Sequence, residues 1–337
     1  MFSKTLHIST SPHIRQGMST DMIMRNVVYA MMPLVIFAVV SFGLNALLVI
    51  ITAVASSVLT EHALCRWSGK SSTVSDWSAV ITGILLGLTL PPIFPLWMTF
   101  LGGVVSIAIG KFVFGGLGSN AFNPALVGRA FLQAAFPVAI TTWHPSFLEG
   151  RFYSISKSVA AFPFSTPVVD GISGATPLSA FKFDKVTADT ADLAFGFISG
   201  STGETSAVLI ILGGIYLAVR KMMNWRIPVA ILTTVFVLSG ILYLIDNQTY
   251  PSPQFMLFSG GLMLGAVFMA TDMVGSPITS RGVVIYGAFI GLIVVVIRIW
   301  GGLPEGVMYA ILLGNALTPH IDNLIRPRVY GTKKTKS

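Results

Sequence analysis

Apolar residues run along this chain in long blocks separated by short polar, Gly-rich or Pro-rich breaks. The blocks predict spans near 27–43, 45–64, 77–92, 96–114, 121–136, 204–220, 227–245, 254–271, 282–298 and 305–319. Crossing a hydrocarbon core of about 30 Å takes about 20 mostly apolar helical residues. The first two spans are separated by "SFGLNA", and the third and fourth by "LPPIFP", where proline removes the donors that a helix needs. The fifth and tenth are short and read as broken or re-entrant. Ahead of the first span, "STDMIMRNV" predicts a short interfacial helix with Ser19 or Thr20 as its N-cap.

The two halves of the pattern resemble each other. "GGLGSNAFNPALVGRAFL" (115–132) opens the last span of the first half, and "GGLPEGVMYAILLGNALTP" (301–319) opens the last span of the second. Five spans per half would give the halves opposite orientations, the inverted-repeat plan in which sites form where broken helices meet. Short Gly-rich likenesses also arise by chance. The predicted fold is an all-α integral membrane protein of about ten transmembrane helices in two inverted five-helix repeats, with broken or short helices. The predicted organisation is a cytoplasmic N-terminal segment (1–26), a first repeat (27–136), an external loop (137–203), a second repeat (204–320) and a basic cytoplasmic tail (321–337).

Composition agrees with a membrane chain: 53% hydrophobic and 10% charged residues, with a mean hydropathy of +0.79, leave too little charge to cover a soluble surface. The first residues are mixed polar, with no charged segment joined to an apolar core, so no signal peptide is expected. The net charge of +8 raises nucleic acid as a partner. The positions of the charges favour a membrane reading with no nucleic acid. Lys4, Arg15, Arg25, Arg66, Lys70, "RKMMNWR" (220–226) and the tail residues Arg326, Arg328, Lys333, Lys334 and Lys336 all fall on one side of a ten-span arrangement. That side is read as cytoplasmic. The single cysteine, Cys65, excludes an intrachain disulfide, and it is expected to pack at a helix end. Scattered histidines show no ligand spacing, so no metal site is predicted.

Four polar stretches could carry chemistry. In "DGISGATPL" (170–178), Gly174 and Ala175 leave the Thr176 hydroxyl sterically open, and Pro177 fixes the chain after it. Turn chemistry alone reads it as an ordinary external loop; the sharper reading is a hydroxyl that accepts a covalent group. "SGSTGETSA" (199–207) reads as a helix start capped by Ser201 or Thr202, with Glu204 at the positive end of the dipole, or as a lining for an anion or cofactor. Asn120 and Asn123, three residues apart, would share a helix face and could bind a planar polar ligand at membrane depth; the equal alternative is a capped, broken helix start at Pro124. Asp272 and Arg281 read as a loop ion pair, with an intramembrane acid in an ion path as the alternative, and Glu305 as a first-turn acid of the last helix.

Taken together, "SPH" (11–13), "LTLPPIFPLW" (88–97), "KFVFGGLGSNAFNPA" (111–125), "DGISGATPL" (170–178), "GETSA" (203–207), "TDMVGSP" (271–277), "IRIWGGLPEGV" (297–307) and "NALTPHID" (315–322) span nearly the whole chain. In order and spacing it resembles the RnfD family, the D subunits of the Rnf ion-translocating electron-transport complex. More distantly it resembles NqrB, the corresponding component of the sodium-pumping NADH:quinone reductase. Gly275 departs from the threonine expected in many members.

The resemblance implies a covalent FMN, joined as a phosphoester to Thr176 by a flavin transferase. Asp170, Ser173, Gly174, Ala175 and Thr176 match the family's D-x-x-[ST]-G-A-T pattern. It implies a non-covalent riboflavin nearer the cytoplasmic side, with Asn120 and Asn123 matching asparagines given that role. It further implies a complex with the A, B, C, E and G components of Rnf in the bacterial inner membrane, with ferredoxin and NAD on the cytoplasmic face and the flavin loop on the external face. There the chain would relay electrons and bias the gating of sodium or protons, with Glu204 and Asp272 as candidates on the ion path and no catalytic residue of its own. The competing classes are a passive channel or solute transporter of inverted-repeat type and a structural scaffold.

Overall fold

A computed structural model of the chain describes residues 19–70, 72–163, 174–203 and 206–327. Asp170, Ser173 and Glu204 lie outside the described residues. Among those described the regular structure is all helical: α1 (Thr20–Phe42), α2 (Leu44–Trp67), α3 (Ser78–Thr89), α4 (Leu96–Ile107), α5 (Pro124–Ala135), α6 (Pro137–Ile140), α7 (Pro177–Ser179), α8 (Thr190–Phe195), α9 (Ala207–Val219), α10 (Arg226–Ile245), α11 (Pro253–Phe258), α12 (Leu262–Leu264), α13 (Ser280–Trp300) and α14 (Val307–Leu324). Wider π turns follow α4 (Ala108–Phe112), α7 (Ala180–Asp184) and α12 (Gly265–Met269).

Each predicted span coincides with a helix or a composite of helices. Four of them, α1, α2, α10 and α13, are long and apolar enough to cross a membrane. The others are shorter: at 1.5 Å per residue, α3 and α5 reach only about 18 Å. The eighth predicted span is not continuous but breaks at Ser259–Gly261 between α11 and α12. Gly260 adopts φ 64° there, and the buried Arg298 guanidinium donates to the Met256 and Ser259 carbonyls that the break leaves open. Ser19 caps the long α1, accepting from Met22 N, rather than a separate interfacial helix.

The packing repeats along the chain. α2 packs on α3 and α4, and α4 on α5; α10 packs on α11 and α13, and α13 on α14. The halves meet where α1 touches α9 and α5 touches α14. Small residues permit the close approaches: a Cβ on Gly83 or Gly87 would run into α2 backbone, and one on Gly291 into the Ile231 carbonyl of α10. The described residues of 143–163 and 174–203 pack against one end of the bundle. Leu44 N donates to Arg151 O, Phe147 N to Ser41 O, and Leu96 N to Val159 O. Gly43 turns between α1 and α2 at φ 73°, and any side chain there would collide with the Arg151 carbonyl.

The stretch 201–203 does not cap the sixth span as expected. Thr202 Oγ1 donates to Gly87 O (2.6 Å) and Leu90 O (3.2 Å), and Gly203 N donates to Leu88 O (2.7 Å). It brings donors to the carbonyls at the end of the half-length α3 and just beyond it, where the helix runs out of its own N–H groups. The cap of α9 is Ser206, whose hydroxyl accepts from Leu209 N. Cys65 is buried at the end of α2, as expected.

Candidate functional site

Among the described residues two cavities lie between the halves, and they receive different predicted residues. The one at the end expected from the sequence to be external, the outer cavity, begins at Thr176. Pro177 at the first helical position fixes φ, and Thr176 becomes the N-cap of α7, its Oγ1 accepting from Ser179 N at 3.2 Å and lying 2.8 Å from Ser179 Oγ. Gly174 N donates to Trp143 O (3.0 Å), and a Cβ on Gly174 would press on Ser199. Thr176 lines a cleft of ≈ 400 Å³ with the end of α3 (Thr89), α5 (Arg129, Gln133) and the segment before α14 (Leu303, Glu305). That volume falls within the roughly 300–1,000 Å³ of small-molecule sites.

Arg129 and Glu305 are the charged residues that line this cleft among those described. Arg129 Nη2 donates to Glu305 Oε2 at 3.0 Å, joining α5 of one half to the segment before α14 of the other. Glu305 therefore stands ahead of α14 as a cross-half partner, not as its first-turn acid; α14 starts at Val307. Its second oxygen, Oε1, is buried with no hydrogen-bond partner among the described residues. From the π turn after α7, Lys182 Nζ donates to the Arg298 carbonyl in the last turn of α13 and to the Gly301 and Leu303 carbonyls just after it. Burial lowers its pKa from the usual lysine value.

The inner cavity, ≈ 130 Å³, is lined by Ser78, Thr82, Lys111, Asn120, Asn123 and Asp272 among apolar neighbours. The two asparagines do not share a helix face. Pro124 makes Asn123 the N-cap of α5, its Oδ1 accepting from Ala125 N (3.0 Å) and Leu126 N (3.4 Å), and Asn120 sits in the turn before it. The free amide ends cross to the second half: Asn123 Nδ2 donates to Met269 O (3.1 Å), and Asn120 Nδ2 to Asp272 Oδ2 (3.1 Å). Asp272 is thus held by Asn120 and by Val274 N (3.2 Å), not by Arg281. Gly275, where many members are expected to carry threonine, lets Asn315 and Thr318 of α14 donate to its carbonyl; a Cβ there would collide with the Asn315 amide.

Four charged residues of these sites were not singled out from the sequence: Glu61, Lys111, Arg129 and Arg298. Lys111 Nζ lies 2.8 Å from both Glu61 oxygens and also donates to Ser78 Oγ; both partners of the pair are buried. Lys111 occupies the π turn after α4, a feature frequent at functional sites. The available signal was a lone charge inside each of four apolar blocks.

The chain matches the model of the NQR2, RnfD, RnfE family over residues 7–331. It is 40% identical to the D subunit of the proton-translocating ferredoxin:NAD(+) oxidoreductase complex of Clostridium ljungdahlii, covering 97% of this chain and 96% of that protein. It is 41% identical to the D subunit of the Na(+)-translocating ferredoxin:NAD(+) oxidoreductase complex of Acetobacterium woodii (98% and 97% covered). With the D subunit of the ion-translocating oxidoreductase complex of Aliivibrio salmonicida it shares 37% identity (97% and 99%). A match of this extent leaves one assignment: the chain belongs to the NQR2, RnfD, RnfE family.

Proposed function

We propose that this chain is a membrane subunit of a ferredoxin:NAD+ oxidoreductase complex that couples electron transfer to ion movement, and that it carries FMN covalently on Thr176. The observation that carries this reading is the position of Thr176, a hydroxyl-bearing residue that lines a cleft large enough for a cofactor. The residues fit the group: Arg129 offers a cation to a phosphate, and the buried Glu305 Oε1 offers an open acceptor to a ribityl hydroxyl. When bound, the flavin supplies one- and two-electron transfer, while the protein supplies position and electrostatics.

Attachment requires an activated phosphate. The Thr176 oxygen forms a new P–O bond, the anhydride of a flavin dinucleotide breaks, a nucleoside monophosphate leaves, and the hydroxyl proton passes to a base on the transferase. No electron is gained or lost in that step. The Thr176 side chain still has to satisfy Ser179 N afterwards, through the ester oxygen. Because Thr176 is only 3% exposed, a transferase reaches it before the loop docks against the bundle or after the loop lifts away.

A second, non-covalent flavin belongs in the inner cavity. A tricyclic occupant needs more room than ≈ 130 Å³, and Met24, Met222 and Met223 in its wall are unbranched side chains able to move aside. Leu85 faces the inner cavity and Thr89 the outer one, so the wall between them is about one helical turn, about 6 Å along α3. That proximity supports a relay in which neither transfer crosses the whole membrane. The coupling ion is not decided by kinship, since one relative is named for protons and another for Na(+) at nearly equal identity.

The repeated packing supports ten spans in two inverted halves in a bacterial inner membrane. The end of the bundle carrying Arg66, Lys70, Arg220, Lys221 and Arg326 is read as cytoplasmic. The Thr176 end is then external. The test is flavin fluorescence of the denatured chain on a gel: the wild-type band fluoresces and Thr176→Val does not. A band dark in the wild type would instead favour a pore or scaffold.

A further inference from the structure

Thr176 is 3% exposed, yet a transferase must take its hydroxyl into an active site of its own. The contacts that bury it therefore decide when it can be modified. α7 and the π turn after it run without a break from Pro177 to Asp184. Thr176, the cap of that turn, and Lys182, within it, move together. The apolar hold on the unit is small: Leu178 joins Leu193 and Phe255 in a cluster apart from the main core, with Phe181 packed against it. Segments with so few buried apolar contacts open at low cost.

Lys182 supplies the stronger hold. An ammonium has three N–H donors, and here they meet three carbonyls: Arg298 O (3.2 Å), Gly301 O (2.5 Å) and Leu303 O (2.9 Å). The end of a helix leaves carbonyls without partners and carries the negative pole of its dipole, where a cation is favoured. α13 is one of the long apolar helices. One side chain thus ties the turn that Thr176 caps to a fixed element of the bundle.

We propose that Lys182 is the latch of the flavin-carrying segment: its hold on the end of α13 closes Thr176 to the flavin transferase, so that attachment precedes docking. This rests on the reading of Thr176 as the attachment point. Lys182 is a positioning residue, acting on Thr176 through the turn that joins them. After attachment the same three bonds seat the segment, with its cofactor, at the outer cleft.

The experiment varies the order of events. The complex is produced without the transferase, purified, and then given the transferase and a flavin dinucleotide, with FMN uptake followed by intact mass. Lys182→Met is expected to load at least about tenfold faster than the wild type, the equivalent of one charge-assisted hydrogen bond. Lys182→Gln, uncharged but with two donors, is expected to fall between them and carries the comparison if the methionine variant does not assemble. Lys185→Met, which removes a neighbouring charge held over the Phe181 ring, is expected to load as slowly as the wild type. All of these chains load fully when the transferase is present during synthesis. A second readout needs no flavin: with Cys65→Ser in place, Thr176→Cys is expected to react with a small thiol reagent at least about tenfold faster when Lys182→Met is added. Equal late loading in the wild type and the Lys182 variants overturns the proposal, as do equal thiol rates or the same gain from Lys185→Met. A wild-type chain without FMN even after synthesis beside the transferase removes the attachment reading instead, and the thiol rates then decide the latch alone.

Discussion

At Thr176 one oxygen has two tasks. As the cap of α7 it accepts from Ser179 N; as the proposed attachment atom it must reach phosphorus. Thr176→Ser keeps both and is expected to retain covalent flavin, whereas Thr176→Val loses both. Loss of a cap costs about 1 kcal/mol, so the valine variant still assembles and its dark band on a gel reports attachment rather than collapse. A bright Thr176→Val band would place the flavin elsewhere. The buried Lys111–Glu61 pair gives a second residue-scale expectation. Lys111→Met leaves the Glu61 carboxylate to the Thr73 hydroxyl as its remaining donor among the described residues and is expected to destabilise the fold by about 3–5 kcal/mol. Adding Glu61→Gln removes the stranded charge and is expected to recover most of the loss in thermal melts in detergent. A double variant no more stable than the single would mean that the pair matters for some reason other than charge balance.

Among the elements, α5 spans the distance between the cavities. Asn123 caps its start at the inner cavity, and Arg129 and Gln133 project from it into the outer one. Asn123→Ala removes the cap and the bond to Met269 O together, an expected cost of about 1–2 kcal/mol. The account expects this variant to lose acid-extractable flavin from the inner cavity while keeping the covalent flavin on Thr176. Loss of both signals in a chain that still assembles would contradict two separate sites. The apolar blocks made most helices legible in the sequence, because each block carries its own burial signal. The break at Ser259–Gly261 was hidden, since apolar residues flank it on both sides and the carbonyls it leaves open are satisfied by Arg298 from 42 and 39 residues away. The α9 cap was misread for a related reason: Thr202 and Gly203 serve the end of α3, a tertiary contact with no local trace. Likewise Arg129 and Glu305 are 176 residues apart. The motif pointed to Thr176, but the ion pair beside it exists only once the halves meet.

For the whole molecule, the account predicts a fixed orientation. Tyr153, 94% exposed, lies at the Thr176 end, and Lys221 at the other. With the buried Cys65 replaced by serine, Tyr153→Cys is expected to react with an impermeant thiol reagent from outside the cell membrane. Lys221→Cys is expected to react only after permeabilisation. The reverse pattern would invert the topology and put the covalent site on the cytoplasmic side. The repeated packing of α2 to α5 and of α10 to α14 gives the two halves similar frames, joined around the cavities by polar contacts. Those contacts, Asn120 to Asp272, Asn123 to Met269 O and Arg129 to Glu305, are where a change of charge on a bound flavin would act on the relative position of the halves.

The measurement that bears most directly on the account is the mass of the chain taken from its native assembly, followed by sequencing of the Thr176 peptide. The account predicts one added FMN, all of it on Thr176. A chain with the mass of its sequence alone, or with FMN on another residue, would contradict it.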